Sequence, residues 1–182
     1  MRIIAGIHRG RILASPRDLS VRPTTDRAKQ TIFDILVNRI DLDGLQVLDL
    51  FAGTGSLGLE AVSRGAGSVT FVDSSRDSLA LLKKNVTALH CEDRCTMYQA
   101  DVFWYLKNTQ SRYDLVFADP PYRLENIGTI PTALYDSGVL KKQAFVVMEH
   151  SRESAIELDE TIYDVLRKPF GQTTVLILQN KN

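Results

Sequence analysis

The sequence predicts an α/β fold: a mostly parallel sheet with helices on both faces, preceded by a small N-terminal β-hairpin/helix extension. Three observations carry this. From residue 45 onward, short apolar runs of strand length alternate with amphipathic runs of helical period, the pattern of strands joined by crossover helices. A glycine-rich stretch follows directly on the first of these strands, and ligands of such sheets sit at the carboxyl ends of the strands. The length, 182 residues with 44% hydrophobic and 24% charged content, suits one domain able to bury a full core.

The elements follow in order. Residues 2–5 and 11–14 are β-like runs with Gly6 and Gly10 between them, which predicts a small hairpin. Residues 15–23 read as a loop. Thr24-Thr25-Asp26 offers N-cap groups for a helix whose apolar face is Ala28, Ile32, Ile35 and Ile40, widened by Phe33 and Leu36. Then come an apolar strand over 47–50, a helix over 57–64 closed by Gly65, and a strand over 68–72. Ser74 or Ser75 caps a helix carrying Leu79, Leu82, Val86 and Leu89. A weaker strand over 95–99, a short helix over 102–108, a strand over 113–118 and a helix over 126–135 follow. Lys141-Lys142 reads as a solvated turn before a strand over 144–148. Runs 161–166 and 173–178, around Lys168-Pro169-Phe170-Gly171, predict an antiparallel hairpin.

Charge divides the chain. The 22 basic and 22 acidic residues cancel, but residues 1–39 hold eight basic and three acidic groups, a net +5, and residues 40–182 a net −5. This predicts a basic extension over 1–39, packed on a core over 40–182. Arginines pair bidentately with phosphates and stack on bases, so Arg2, Arg9, Arg11, Arg22 and Arg27 are candidate nucleic-acid contacts, the competing reading being a solvated arm. No stretch approaches the ~18–20 apolar residues of a membrane span. The opening residues lack a signal-peptide pattern, and two cysteines are no disulfide framework, so a cytoplasmic protein is expected. His90, Cys91 and Cys95 lack a fourth ligand for a closed zinc site, so no metal is expected. With no dimerisation segment apparent, a monomer is expected.

The glycine loop reads Asp49-Leu50-Phe51-Ala52-Gly53-Thr54-Gly55-Ser56-Leu57-Gly58. Taken literally, Gly53, Gly55 and Gly58 with Asp73 twenty residues on form a dinucleotide fingerprint. Asp49 argues against that ligand, because a carboxylate at the strand end repels a pyrophosphate in a site shielded from water. It suits S-adenosylmethionine, which carries an ammonium and a sulfonium and no phosphate. Gly53 and Gly55 then let the backbone approach its methionyl part, Phe51 is a further cofactor-binding candidate, Asp73 accepts the ribose hydroxyls, and Asp101, after the third strand, is placed for the adenine amino group. The competing reading of Asp101 is a plain helix cap.

After the fourth strand stands Asp119-Pro120-Pro121-Tyr122. Consecutive prolines make a stiff turn that holds its carbonyls in set directions. Asp119 and the Pro120 carbonyl can accept from one planar amino group while Tyr122 stacks the base that carries it. Such an amino group is a weak nucleophile, and two acceptors aimed at its hydrogens turn its lone pair toward a sulfonium methyl.

These residues resemble the class I amino-methyltransferases. With Arg2-Ile3-Ile4-Ala5-Gly6, Arg9-Gly10-Arg11 and Val21-Arg22-Pro23-Thr24-Thr25-Asp26-Arg27, the chain more closely resembles the RsmD family, bacterial enzymes that methylate N2 of a guanine in 16S ribosomal RNA. The likeness runs from Arg2 to Phe170-Gly171-Gln172-Thr173, with Asp73 where the family often has Glu. It implies a Rossmann-like, seven-stranded methyltransferase sheet with the last hairpin reversed. It also implies S-adenosylmethionine as methyl donor, Thr24 or Thr25 near the cofactor carboxylate, with Thr25 the candidate, and 16S rRNA, in the 30S subunit, as partner. Adenine-N6 methylation of DNA uses the same tetrapeptide but normally a separate recognition domain. A non-catalytic RNA-binding assembly factor would not need the acids at positions 49, 73, 101 and 119.

Overall fold

The computed structural model describes residues 1–15, 26–121, 124–154 and 156–182. Along them run α1 (Asp26–Leu36), β1 (Gln46–Leu50), α2 (Ser56–Ser63), β2 (Ser68–Asp73), α3 (Arg76–Leu89), β3 (Cys95–Gln99), α4 (Val102–Asn108), β4 (Tyr113–Ala118), α5 (Ile130–Asp136), β5 (Leu140–Ser151), β6 (Tyr163–Phe170) and β7 (Thr173–Asn180). The strands form one seven-stranded sheet in the order β3-β2-β1-β4-β5-β7-β6. Strands β1 to β5 pair in parallel, and β7 is antiparallel to both β5 and β6. Hence β7 alone runs against the sheet.

Central strands are buried on both faces, so β1 and β4 are near-continuous apolar runs. One core layer gathers Phe33 of α1, Leu59 of α2 and Leu82 of α3 over Phe117 and Ile177. The opposite layer gathers Leu106 of α4 and Leu134 of α5 over Val116 and Tyr163. The Phe33 and Phe117 rings lie 5.6 Å apart and hold α1 against the sheet. No helix among the described residues is long and apolar enough to cross a membrane.

Several boundaries differ from the sequence reading, each for a local reason. The N-terminal runs meet in a single antiparallel bridge, Arg2 to Ile12. The amides of Ile4 and Ala5 turn away and donate to the Glu60 carboxylate instead. Helix α1 ends at Leu36 in a turn, leaving Ile40 outside it. The helix expected over 126–135 opens as a 3-10 turn, Ile127–Thr129, before α5 begins with Pro131 in its first turn. Lys141 and Lys142 lie inside β5, where Lys141 donates to Asp114 at 2.8 Å. A register shift between Tyr113 and Leu115, with Gln143 at φ 59°, hides the start of β5 from a periodicity reading. Strand β6 continues through Pro169, which an edge strand tolerates. Ser75 is the cap of α3, accepting from the Ser78 amide at 3.2 Å.

Candidate active site

The carboxyl ends of β1, β2 and β4 bring three acids together. Asp49, next to last in β1, lies between Phe71 of β2 and Phe117 of β4. Asp73 ends β2, and half-buried Asp119 follows β4. Asp49 is only 2% exposed. Burial, and then the negative charges of Asp119 and Asp73, push its carboxyl well above its ordinary range, against the lowering effect of the Gly58 amide. That amide donates to Asp49 Oδ2 at 2.9 Å. Gly58 is in the first turn of α2, so a strand side chain satisfies a helix-terminal donor where the N-cap, Gly55, has no side chain to do so.

The glycines have separate reasons. A Cβ at Gly58 would meet the Phe71 ring at 2.4 Å and Asp49 Oδ2 at 2.9 Å, so helix and strand approach only without one. At Gly53, φ is 55° and the nearest atom to an added Cβ is 4.0 Å away. The protein leaves that side of the loop open. Asp73 Oδ2 accepts from the Gly53 amide at 2.7 Å and its Oδ1 from the Ser75 amide at 2.7 Å. The acid therefore braces the loop, and each oxygen retains a second lone pair. Phe51 is held at φ 55°, a conformation that costs a non-glycine residue roughly 1–3 kcal/mol and tends to mark functional turns.

Asp101 is exposed at the N-terminus of α4 and its Oδ1 accepts from the Trp104 amide at 2.9 Å. The cap reading thus describes one of its oxygens. Beside it Phe103 is half-buried and Trp104 is exposed. Pro120 is buried and Pro121 exposed. Tyr122, Thr25 and Arg22 lie outside the described residues. Arg2, Arg9, Arg11 and Arg27 are all exposed, and Arg2 forms a surface pair with Asp26 at 3.0 Å. Among the described residues, no group of three or more His, Cys, Asp or Glu could hold a metal ion. Cys91 and Cys95 pack at the α3–β3 junction with their sulfurs 3.8 Å apart.

Sequence reasoning missed the groups that fasten the basic extension to this loop. Glu60 of α2 is fully buried and accepts from the Ile4 and Ala5 amides at 2.7 and 3.0 Å and from Arg64 Nε at 2.8 Å. Lys29 of α1, also fully buried, lies 3.4 Å from Glu60 and donates to the Arg2 carbonyl at 2.6 Å and Ser56 Oγ at 3.3 Å. Asn85 of α3 accepts from the Ala14 amide at 2.7 Å and donates to the Ala14 and Thr54 carbonyls at 3.1 and 3.0 Å. Thr54 and Ser56 both belong to the glycine loop and helix start. The signal was present: each of the three polar residues interrupts the apolar face of its helix, Lys29 beside Ala28 and Ile32, Asn85 beside Leu82 and Val86.

The chain matches the family model described as Conserved hypothetical protein 95 over residues 1–179. It is 35% identical to ribosomal RNA small subunit methyltransferase D of Escherichia coli, over 100% of this chain and 90% of that one. It is 34% identical to YlbH of Bacillus subtilis over the whole of both chains. The structure of the Escherichia coli protein yhhF matches with a TM-score of 0.88 at 31% identity, covering 100% of this chain and 98% of that one. The strand order, the glycine loop braced by acids and these full-length matches agree: the chain belongs to the Conserved hypothetical protein 95 family, the RsmD family of class I methyltransferase folds.

Proposed function

We propose that the protein transfers a methyl group from S-adenosylmethionine to the exocyclic N2 amino group of a guanine in 16S ribosomal RNA, free or in the 30S subunit. The observation that carries this reading is Asp49. A carboxyl buried beside two further acids is uncomfortable in the free protein and is relieved by a cation. The donor's ammonium and sulfonium meet that need, and a pyrophosphate does not. The open side of Gly53 leaves room for such a ligand to lie against the backbone. When bound, the cofactor supplies an electrophilic methyl group on a sulfonium.

The chain's own residues do the rest. Asp73 and Asp101 face the ribose and adenine, Phe51 and Gly55 shape the methionyl side, and Thr25 approaches the carboxylate. Asp119 and the Pro120 carbonyl accept from the amino hydrogens, Pro121 stiffens the turn, and Tyr122 stacks the flipped base. The N2 lone pair would take the methyl as the carbon–sulfur bond of the donor breaks, leaving S-adenosylhomocysteine as a neutral thioether, and the amine would then give up one proton to an acceptor at the site. Residues 1–39 act as the RNA-docking extension of the 40–182 core, in the cytoplasm, with Arg2, Arg9, Arg11, Arg22 and Arg27 on phosphates. The names of the curated relatives support an RNA substrate.

The test is transfer of labelled methyl to 16S RNA and to 30S particles, followed by mapping of the modified base. Asp119→Ala should keep cofactor affinity within about threefold and lose at least ~100-fold in turnover, the scale of lost transition-state orientation. Undiminished turnover in that variant overturns the mechanism, and a label found on adenine overturns the specificity.

A further inference from the structure

A cleft of about 680 Å³ opens at the carboxyl edge of the sheet, between the turn after β5 and the β6–β7 turn. Ser151, Arg152, Glu153 and Ser154 line one side, Gln172 and Thr173 the other. Its place relative to the catalytic loop follows from strand register. Ala118 pairs with Met148, so the position beside Asp119 is that of residue 149, and Ser151 lies two residues further out. That is about 7 Å along the strand and about 5 Å across to the neighbouring one. Both walls belong to one ladder, because Ser151 pairs with Thr173.

The cleft is polar and its cation is braced. The Arg152 amide donates to the Gln172 carbonyl at 3.0 Å, and its Nη1 donates to the Gly171 carbonyl at 3.1 Å. A guanidinium carries five N–H donors, so one bond to the turn orients the group without consuming it. The Ser154 amide closes the facing turn on the Ser151 carbonyl at 3.0 Å. The volume is that of a small-ligand site. Relative to Asp119, the cleft lies on the β5–β7 side, whereas the basic extension is fastened to α2 and α3 on the β1–β3 side. The cleft and the fastened extension thus flank Asp119 from opposite sides along the strand order.

We infer that this cleft receives the unpaired nucleotide next to the target guanine, its phosphate on Arg152 and its base edge against Gln172 and Glu153. This rests on the proposed methylation of RNA and adds a subsite to it. Sequence choice in RNA is read mainly from unstacked bases, and a neighbour of a flipped base is one.

The experiment compares wild type, Arg152→Ala, Arg152→Lys and Gln172→Ala by two separate readouts on the same 16S RNA fragment: binding by fluorescence anisotropy over a salt series, and steady-state methyl transfer. Arg152→Ala should weaken RNA binding about tenfold, lower the log–log salt slope by about one, and raise KM for RNA with kcat and cofactor affinity within twofold. Arg152→Lys should restore the slope. Gln172→Ala should raise KM without changing the slope. Wild-type RNA binding that depends on Arg152 in the absence of any turnover would sink the methylation reading, and the subsite with it, and leave only an RNA contact at Arg152. Normal turnover with Arg152→Ala and Gln172→Ala both indistinguishable from wild type overturns the subsite.

Discussion

Replacing Glu60 by Ala tests the buried node that joins the N-terminal stretch to the glycine loop. The carboxylate accepts from two backbone amides and one guanidinium and faces Lys29 Nζ at 3.4 Å, with both side chains of the Lys29–Glu60 pair wholly buried. Its removal leaves Lys29 without its counter-charge and two amides without an acceptor. Breaking a buried ion pair from one side costs about 3–5 kcal/mol, and each unsatisfied buried amide about 1–3 kcal/mol. These do not add in full. Burial already lowers the Lys29 pKa, so the lysine can relieve its share by losing a proton, and water can reach the emptied site. A net loss of about 4 kcal/mol is expected. At about 2–4 °C per kcal/mol for a domain of this size, Tm falls by about 8–16 °C. Urea titration and calorimetry measure it, and hydrogen exchange should show the Ile4 and Ala5 amides opening first. The double variant Lys29→Met/Glu60→Leu, which removes both charges, should recover the ion-pair share of the loss but not the share of the two amides, which still lack an acceptor. A loss under about 1 kcal/mol in Glu60→Ala, or a double variant less stable than the single one, would refute the reasoning.

Two further outcomes follow from the site itself. Asp49 has a raised pKa in the folded protein, so the stability it contributes is fully present below about 3.8, its ordinary value, and is lost as pH rises through the folded value. Asp49→Asn cannot ionise, so its Tm advantage over wild type should grow as pH is raised from about 4 to about 8, while affinity for S-adenosylmethionine drops. A pH-independent difference contradicts the assignment. Gly58→Ala gains helix propensity of about 1 kcal/mol, but its Cβ falls 2.4 Å from the Phe71 ring and 2.9 Å from Asp49 Oδ2, an overpacking cost of about 1–3 kcal/mol. Calorimetry should show a net lower Tm, and a stabilised variant would mean that α2 and β2 are not held at this separation.

Much of the fold was legible because it rests on local, periodic signals. Strands β3 and β4 and helix α4 lie where their apolar runs and flanking breakers put them. The places of the glycine loop after β1 and of Asp119-Pro120-Pro121 after β4 were legible because each follows its strand directly in the chain. The start of β5 was not, since a bulge at Gln143 breaks the alternation that marks a strand. The end of β6 was hidden because Pro169 reads as a turn unless the strand is known to be an edge.

By itself, then, the sequence determined the order of strands and helices, the acids that follow the strands and the basic character of residues 1–39, all properties of neighbours along the chain. Tertiary structure alone decided that Asp49 caps α2 and shares a low-dielectric site with Asp73 and Asp119, residues 24 and 70 positions away, because sheet order sets those distances. It also decided that the stretch 1–15 is no free arm. Glu60 and Asn85 hold it through hydrogen bonds spanning 55 to 71 residues, and buried polar groups are stable only where the fold supplies such partners.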